Sequence, residues 1–509
     1  MKTINCLTKV KMIAVLIGII LTACHQNHSG IFDITNYGAL ADGQSINTKA
    51  IQDAIDAAYR NGGGKVVIPA GTFVSGTLIL KDKVNLHVSL GATLLGSPNL
   101  EDYIEMSWGH NCDRQPWHLI YADSVANIAI TGEGIIDGNG KCFWEEYEKD
   151  EQGNMIVPRW IKAKKHKISP LIDINNSSNI TVKDVTVKTG GGWNIHLFNS
   201  SIAKIKGVRI INNIYSPNSD GIDLTGCSDV RVSDCFIKTC DDAIVVKTVA
   251  NSNVSERISV SNCIMETLCV GIKLGAGESY KDMRDINFSN CVCNGSSRFF
   301  GLYSKNGAVI ENVVVNNLTG NTNAKLVYNR PIQLMVEKNA NGIVGGIRNV
   351  IISNVAAHTD GRVLMTCDPD GFMEDIYFRD VILTYPRIED PAAMIDGAGS
   401  NQFPRVSEFK EAGAARAAFV AENLNNLVID NLKINWPQEF VPESWQHKER
   451  IENGTKRIHK ANYSNPRETE FFALWAKNVK GGYIDASLVQ ASNAKMKKFN
   501  LINSTLRIK

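Results

Sequence analysis

A short phrase that recurs along the chain constrains its fold more than any other feature. The phrase reads apolar, any residue, apolar, any residue, Asp or Asn, apolar. It begins at Ile180, Val230, Ile258, Ile286, Val313, Val350, Ile376 and Leu427, and a variant that begins at Ala203 has Gly207 at the turn. Such alternation predicts a short strand, and the Asp or Asn predicts a sharp bend. Successive starts lie 23, 27, 28, 28, 27, 37, 26 and 51 residues apart, which indicates a solenoid with one unit in each coil.

The repeat selects one kind of solenoid. The leucine and asparagine phrase of leucine-rich repeats is missing, and the blades of a propeller are longer than these units. We therefore predict an all-β fold, a right-handed single-stranded parallel β-helix. Cys235, Cys263 and Cys291 lie 28 residues apart, and we interpret them as small apolar side chains stacked inside the tube.

The segment before the repeats predicts a cap for the open end of the solenoid. A helix is expected from Thr48 to Tyr59, because apolar residues follow one helical face. These residues are Ala50, Ile51, Ala54, Ile55 and Ala58. Residues 31–509 are expected to form a single domain. Stretches that break the repeat are predicted to be loops on one wall of a cleft, at about 101–120, 140–170, 385–420 and 436–475.

The first residues are typical of an export signal. Three lysines precede an apolar run from Met12 to Ala23, and Leu21 to Cys24 resembles the lipobox of bacterial lipoproteins. We expect a signal peptide at 1–23, lipidation of Cys24, a tether at 24–30, and a location in the periplasm or at the outer-membrane surface. The alternative is an ordinary cleaved signal with a coincidental cysteine.

Charge and cysteine spacing exclude several classes of partner. Removing the signal lowers Lys+Arg from 54 to 51 against 52 Asp+Glu, so the net charge becomes about −1 and nucleic acid is not an expected partner. No cysteine lies in a CxxC pair or at zinc-ligand spacing from histidines. We expect a monomer with no cofactor and no metal.

Two acidic phrases on neighbouring coils are not explained by the repeat. Asp220 lies 21 residues before Asp241, close to one coil, and Asp242 follows directly. Neighbouring rungs lie about 5 Å apart, so these carboxylates would resist ionising together. Glycoside hydrolysis uses one protonated and one charged carboxyl group. The alternative is that aspartates at bends stabilise turns, and we assign that role to Asp223 and Asp234.

The phrases that carry chemistry resemble a known family. Residues 36–39, 42–43 and 62–73 resemble the pectin-lyase-like β-helix superfamily, whereas residues 192–196, 218–223 and 241–244 resemble glycoside hydrolase family 28, the polygalacturonases and their relatives. The similarity runs from about residue 31 to 310. It implies inverting hydrolysis of α-galacturonosyl linkages in pectin, with Asp241 as general acid and with Asp220 and Asp242 activating water.

The chain departs from that family at two places. The stretch that matches the family's Gly-His-Gly phrase is Cys269 to Gly275, without histidine, and the family's Arg-x-Lys phrase corresponds to Tyr303-Ser304-Lys305. Loss of the arginine would weaken selection for a carboxylate. Tyr303 could then stack on an uncharged sugar such as rhamnose, and the long insertions could favour exo action.

Further side chains are candidates for substrate binding. Lys305, Lys247 and Lys273 could bind a substrate carboxylate, although the alternative for Lys247 and Lys273 is a solvated surface lysine. Asn218 and His196 could contact sugar, and His196 beside a tryptophan could equally be structural. Inserted loops also contain tryptophans that could stack on sugars or pack internally, at positions Trp108, Trp117, Trp144 and Trp160.

Two other functions compete with hydrolysis. A polysaccharide lyase of the same superfamily would need a calcium site of several acidic residues and a basic catalytic residue, and the sequence shows no such cluster outside the three aspartates. A glycan-binding lipoprotein without catalysis would explain the missing histidine and arginine, but retention of all three aspartates argues against it.

Overall fold

The computed structural model describes most of the chain. The described residues are 30–106, 114–146, 151–152, 161–322, 329–386, 410–437, 447–452, 455–460, 471–491 and 498–509. The predicted signal peptide, Cys24, Trp108 and Trp160 lie outside them. None of the described helices is long and apolar enough to cross a membrane.

One sheet, here called the front sheet, takes a single strand from each coil. Its 13 strands follow one another in chain order, and every neighbouring pair is parallel. They are Leu78–Ile79, Ile120–Asp123, Ile172–Asn175, Ile195–Phe198, Ile222–Thr225, Ile244–Thr248, Val270–Ser279, Arg298–Ser304, Ile332–Val336, Val363–Cys367, Ala417–Glu422, Phe472–Lys477 and Phe499–Ile502. This arrangement is that of a right-handed parallel β-helix, as predicted.

The remaining walls of the tube form a sheet of 23 strands, here called the back sheet. They are Ile31–Asp33, Asp42–Ile46, Gly64–Ile68, Gly71–Ser75, Val84–Val88, Ala92–Gly96, Ala126–Thr131, Ile135–Asp137, Ser178–Lys183, Thr186–Lys188, Ser201–Lys206, Arg209–Ile211, Ser228–Ser233, Phe236–Thr239, Ser255–Ser261, Ile264–Thr267, Met283–Asn294, Val309–Thr322, Gly346–Thr359, Phe372–Thr384, Asn425–Asn435, Lys480–Ile484 and Arg507–Ile508. The predicted insertion at 436–475 contains an antiparallel pair, His447–Glu452 with Thr455–Lys460.

The helices in the described part of the chain are few and short. The first α-helix, Thr48–Arg60, buries Ile51, Ala54, Ile55 and Ala58 completely. The predicted cap and its apolar face are therefore confirmed. A second α-helix, Lys410–Ala414, and the front-sheet strand Ala417–Glu422 lie inside the insertion predicted at 385–420. Single 3-10 turns occupy Ile34–Tyr37, Leu100–Asp102 and Gly140–Phe143.

The bend of the repeat has the conformation that the sequence predicts. The Asp, Asn or Gly of each of the nine phrases has a φ between 53° and 66°, a left-handed conformation that these residues tolerate. Their side chains form a ladder between coils. Asn290 Nδ2 donates to Asn262 Oδ1 at 3.2 Å, and Asn317 Nδ2 donates to Asn290 Oδ1 at 2.8 Å.

The interior of the tube is apolar and closely filled. Cys235, Cys263 and Cys291 are at most 2% exposed and belong to the main core cluster. All nine cysteines that the structure describes are unbridged. The interpretation of these three cysteines as stacked apolar side chains is therefore confirmed.

Candidate active site

The ends of the loops that lead into the front sheet bring the acidic phrases together. Asp220 and Asp242 each lie two residues before a paired position of that sheet, Ile222 and Ile244. The Gly221 N–H donates to the Asp242 carbonyl at 2.9 Å. The residue that stands level with Asp220 on the next coil is therefore Asp242, 22 residues later.

A bend presents Asp241 beside Asp242. The Asp242 N–H donates to Asp241 Oδ1 at 3.0 Å, and the hydroxyls of Thr239 and Thr267 each donate to the Asp241 carbonyl at 2.6 Å. Carboxylate oxygens of the two aspartates and the Cys269 sulfur lie within 4.8 Å of one another. A regular strand would send the two side chains to opposite faces, so this bend is what brings both carboxylates into one cluster.

Lys273 neutralises Asp242. Its Nζ contacts Asp242 Oδ2, and the Val270 N–H donates to Asp242 Oδ1 at 3.1 Å. Burial alone would raise the pKa of Asp242, which is 2% exposed, but the ammonium group more than offsets that effect and the pKa lies below its usual range. Asp242 is therefore a charged carboxylate in a nearly dry site. This contact contradicts the interpretation of Lys273 as a solvated surface lysine, whereas its role in binding a substrate carboxylate stays a prediction.

The pKa of Asp220 is shifted in the opposite direction to that of Asp242. It is 4% exposed, and its Oδ1 is buried without a hydrogen-bond partner. Burial, followed by the charges of Asp223, Asp241 and Asp242, raises the pKa of Asp220 well above its usual value. The cluster therefore places a carboxyl group whose pKa is raised next to one whose pKa is lowered, which is the combination that acid and base catalysis at one site requires.

A second ion pair lies close enough to the cluster for the charge of Asp223 to raise the pKa of Asp220. Lys247 Nζ is 2.8 Å from Asp223 Oδ1, 3.2 Å from Glu278 Oε2 and 3.3 Å from the centroid of the Trp193 ring. Asp223 is fully buried within the strand Ile222–Thr225, so its interpretation as a turn residue is wrong. Burial raises the pKa of Asp223 to about 6 although Lys247 opposes it. Lys247 is only 1% exposed, so it is not a solvated lysine either.

His196 belongs to a buried polar ladder. Its Nδ1 lies 2.8 Å from Asp173 Oδ1 and its Nε2 lies 2.9 Å from Thr225 Oγ1. Asp173 is also bound by Arg114 at 2.8 Å and approached by His118 at 3.3 Å. Both ring nitrogens of His196 are thus occupied and the residue is 1% exposed, which favours its structural interpretation.

By contrast, Asp234 is exposed at a bend with a φ of 58°, which confirms its interpretation as a turn residue.

Comparison with known proteins identifies the family. The sequence matches glycosyl hydrolases family 28 over residues 62–397. The chain belongs to this family. It is 30% identical over 255 residues to an exo-poly-α-D-galacturonosidase of Dickeya chrysanthemi, covering 42% of this chain and 41% of that protein. It is 29% identical over 237 residues to a probable polygalacturonase of Vitis vinifera, covering 44% of this chain and 45% of the relative. The chain thus spans less than half the length of each of these two relatives.

The fold agrees with the family. A family 28 exopolygalacturonase of Yersinia enterocolitica superposes with a TM-score of 0.63 at 19% identity, covering 81% of this chain and 76% of that structure. The family match includes every described residue of the carboxylate cluster and the second ion pair.

The position predicted to correspond to the family's arginine is occupied by a buried tyrosine. Tyr303 is 5% exposed, and its ring lies so close over Gly301 that an added Cβ there would meet ring atoms at 2.5 Å. Its hydroxyl lies 3.4 Å from Gln333 Oε1. Lys305 contacts Glu337 at 3.1 Å and keeps 17% of its side chain exposed. Tyr303 therefore offers little of its ring to a sugar in this conformation.

Sequence reasoning missed a guanidinium close to the cluster. Arg298 pairs with Val270, the residue that donates to Asp242, and it helps to lower the pKa of Asp242. Its Nε donates to Gln333 Oε1 at 2.9 Å, and only 1% of the residue is exposed. Asp242, Val270 and Arg298 are spaced by 28 residues. That period, extended one further coil, was the signal that could have revealed Arg298.

The structure describes three of the remaining candidates. Trp144 is 7% exposed, and Trp117 is half-buried with its ring 5.1 Å from that of His166. The burial of Trp144 and the ring contact of Trp117 favour packing over sugar stacking. Asn218 has a φ of 46° and is half-buried at the turn before Asp220, so its conformation shapes the loop that presents the first carboxylate.

Proposed function

We propose that this chain is an inverting hydrolase of α-galacturonosyl linkages in pectin. The observation that carries the proposal is the buried cluster of Asp220, Asp241 and Asp242, in which Lys273 contacts Asp242 and lowers its pKa while burial raises the pKa of Asp220. Inverting hydrolysis needs a proton for the leaving oxygen and a charged base for water.

We assign the roles by combining family resemblance with this geometry. Asp242 is the base, because Lys273 holds it in the charged form. Asp241 delivers the proton from the bend, and Asp220 orients the water. The charge of Asp241 is one of the causes that raise the pKa of Asp220. The assignment requires a proton to lie on Asp241 once substrate is bound.

We further propose exo action and tolerance of a neutral sugar at the leaving-group side. Similarity to a protein named exo-poly-α-D-galacturonosidase supports the first. The second is supported by Tyr303 in place of arginine, because Arg298 is held by Gln333 and does not offer a free bidentate fork to a uronate. Rhamnogalacturonan is therefore a candidate substrate beside homogalacturonan.

Hydrolysis by Asp241→Asn protein tests the central proposal. Wild type is expected to release reducing ends from homogalacturonan or rhamnogalacturonan oligomers with inverted anomeric configuration, seen by NMR, and Asp241→Asn to lose at least a hundredfold in kcat. Asp234→Asn is the matched control, because Asp234 is exposed at a bend where other coils carry asparagine.

Two other outcomes would replace the proposal. Products that absorb in the ultraviolet because they are unsaturated would identify a lyase. Binding of the oligomers without any cleavage by wild type would identify a glycan-binding protein.

For the amino-terminal segment we propose export and lipid attachment at Cys24, with pectic polysaccharide met at the outer membrane or in the periplasm. Incorporation of a labelled fatty acid that disappears in Cys24→Ala is the expected result. Equal labelling of both proteins would contradict it.

A further inference from the structure

Lys305 forms an ion pair with a carboxylate of the next coil. Its Nζ lies 3.1 Å from Glu337 Oε2, and each side chain keeps only a small part of its surface exposed. Ser304 pairs with Val336, and the Glu337 N–H donates to the Ser304 carbonyl at 2.8 Å, so Lys305 and Glu337 lie level on neighbouring coils. The lysine that is predicted to match the family's Arg-x-Lys phrase is thus neutralised by a group of the protein itself.

This ion pair lies on the outer face of the front sheet, as does the lysine of the catalytic cluster. Three core residues of successive coils point into the tube, namely Leu274, Leu302 and Val336. Alternate residues of an extended chain face opposite sides, so Lys273, Lys305 and Glu337 all face outward. Lys273, which contacts Asp242, pairs with Gly301 on the coil of Lys305. The Cα atoms of the two lysines are therefore roughly 14 Å apart, four residues and one coil.

The second oxygen of Glu337 is an unused acceptor. Its Oε1 is buried and has no hydrogen-bond partner. A carboxylate accepts several hydrogen bonds and donates none, and a buried acceptor without a partner costs free energy that a hydroxyl donor would recover. The terminal torsion of a glutamate is broad, so one oxygen can turn toward the cleft while the other keeps its contact with Lys305.

The charges of the pair select against a uronate. One ammonium and one carboxylate group give the pair a formal charge of zero. A substrate carboxylate that approached Lys305 would also approach Glu337, whose charge repels it. The hydroxyl groups of an uncharged sugar meet no such cost, because a hydroxyl can donate to Glu337 and accept from Lys305. Tyr303, at the position predicted for the family's arginine, supplies no positive charge that would restore the balance.

We propose that Glu337 is a specificity-determining residue that makes the leaving-group side of the cleft select an uncharged sugar over a uronate. Its carboxylate occupies Lys305 and accepts a hydrogen bond from a hydroxyl of that sugar. The position of the sugar rests on the proposed hydrolysis, whereas its lack of charge rests on the ion pair. Glu337 thus excludes the charged sugar, which is more than tolerance of a neutral one.

Two disaccharides that differ in one group test the proposal. The first is α-galacturonosyl-galacturonic acid, and the second has the carboxylate of its reducing-end sugar reduced to an alcohol. Each contains a single linkage, so the leaving sugar is unambiguous. Wild type is expected to cleave the reduced disaccharide with the higher kcat/KM. In Glu337→Gln, Lys305 is free to bind a carboxylate, so this preference should fall about tenfold, with an absolute gain on the unreduced disaccharide.

Two further variants show whether the effect is specific. Glu266→Gln is the matched control, because Glu266 pairs with Lys238 of the preceding coil at 2.8 Å on the back sheet, and its preference should equal that of wild type. Lys305→Met added to Glu337→Gln should abolish the gain on the unreduced disaccharide, because the cation that binds its carboxylate is gone. An ion pair that only supports the fold would lower kcat/KM on both disaccharides alike.

Binding keeps this result separate from hydrolysis. Titration calorimetry of both disaccharides with Asp241→Asn protein, with and without Glu337→Gln, gives the same preference as a ratio of affinities without turnover. A ratio that depends on Glu337, with no cleavage of pectic oligomers by wild type, would retain the selective site and refute the hydrolase. Cleavage by wild type, with a preference for the unreduced disaccharide or with neither ratio changed in Glu337→Gln, would retain the hydrolase and overturn the selective role of Glu337.

Discussion

Lys273 determines which buried carboxylate of the cluster is charged. Asp220 and Asp242 stand level on neighbouring coils and are almost equally buried, so burial alone would raise the pKa of both. The ammonium group touches only Asp242 among them. The two pKa values therefore move apart, which is how two chemically identical side chains acquire different roles.

Substitution of Lys273 should move the pH profile of catalysis. In Lys273→Met, burial of Asp242 is unopposed and its pKa rises, so the base becomes protonated at higher pH. We expect the acidic limb of kcat/KM to shift to higher pH by one unit or more, and activity below that limb to fall about tenfold for each unit. The pH dependence of kcat/KM on homogalacturonan oligomers measures the shift.

Lys238→Met provides the control for this experiment. Lys238 also pairs with a carboxylate one coil away, Glu266 at 2.8 Å, but both are partly exposed on the back sheet. Its profile should match that of wild type. An unmoved acidic limb in Lys273→Met would show that Asp242 does not depend on the lysine.

Asp220 should weaken the fold as pH rises. Its folded pKa lies above that of the unfolded chain, so the folded state binds more protons between these two values and stability falls as pH rises through the folded pKa. Asp220→Asn removes this loss. We expect a Tm about 2 °C or more above that of wild type at pH 8, a much smaller difference at pH 4, and loss of activity.

The pKa of the exposed Asp234 is shifted in the opposite direction, so this residue serves as a comparison. Hydrogen bonding to Asn262 lowers the pKa of Asp234, so Asp234→Asn should show no gain in Tm at pH 8. Equal pH dependence of Tm in Asp220→Asn and wild type would mean that Asp220 is ionised as readily in the fold as in the unfolded chain.

At the scale of the coil, two columns of left-handed residues turn the chain, and only one of them was predicted. The predicted column carries Asp, Asn or Gly in all nine phrases. The second column directly precedes each phrase, and seven of its nine residues are Asp or Asn, so the sequence carries a signal for it that was missed. The two exceptions are Ile202 with a φ of 54° and Arg257 with a φ of 52°. Neither residue favours that conformation, so stacking of coils imposes it at these two positions.

The asparagine ladder predicts an unusual order of substitution effects. Asn290 combines a φ of 55° with hydrogen bonds to Asn262 and Asn317. Asn290→Gly should lose only the hydrogen bonds, about 1 kcal/mol, whereas Asn290→Ala should lose a further ~1 kcal/mol to left-handed strain. Urea denaturation measures both values.

Asn287 is the control for backbone conformation. It is exposed on the same strand, Met283–Asn294, without a left-handed φ. Glycine should therefore be worse than alanine at this position, the reverse of the order at Asn290. Alanine and glycine ranking alike at both positions would contradict the strain argument.

At the scale of the whole molecule, one edge of the front sheet gathers the functional groups. Asp220, Asp242 and Arg298 each lie two residues before a paired strand residue, which is Ile222, Ile244 and Phe300 respectively. The acidic cluster was predictable because its members lie within about one coil and match family phrases. Arg298 was not predicted, because it lies 56 residues after Asp242 and outside both acidic phrases.

Because every coil packs against its neighbours, loss of the helical cap tests the stability of the whole solenoid. Each coil buries its interior only against its neighbours, so the first coil needs the helix Thr48–Arg60 to cover its apolar end. Ile55 is a fully buried residue of that helix, and Ile55→Lys would place a charge between the helix and the first coil without a partner. We expect undocking of the helix, exposure of strand edges that pair with other chains, and soluble aggregates in size-exclusion chromatography.

Asp53→Lys adds the same side chain to the exposed face of the helix, where it breaks only a surface contact with Lys49, and should elute as wild type does. An Ile55→Lys protein with the elution volume and Tm of wild type would show that the coils are stable without the docked helix.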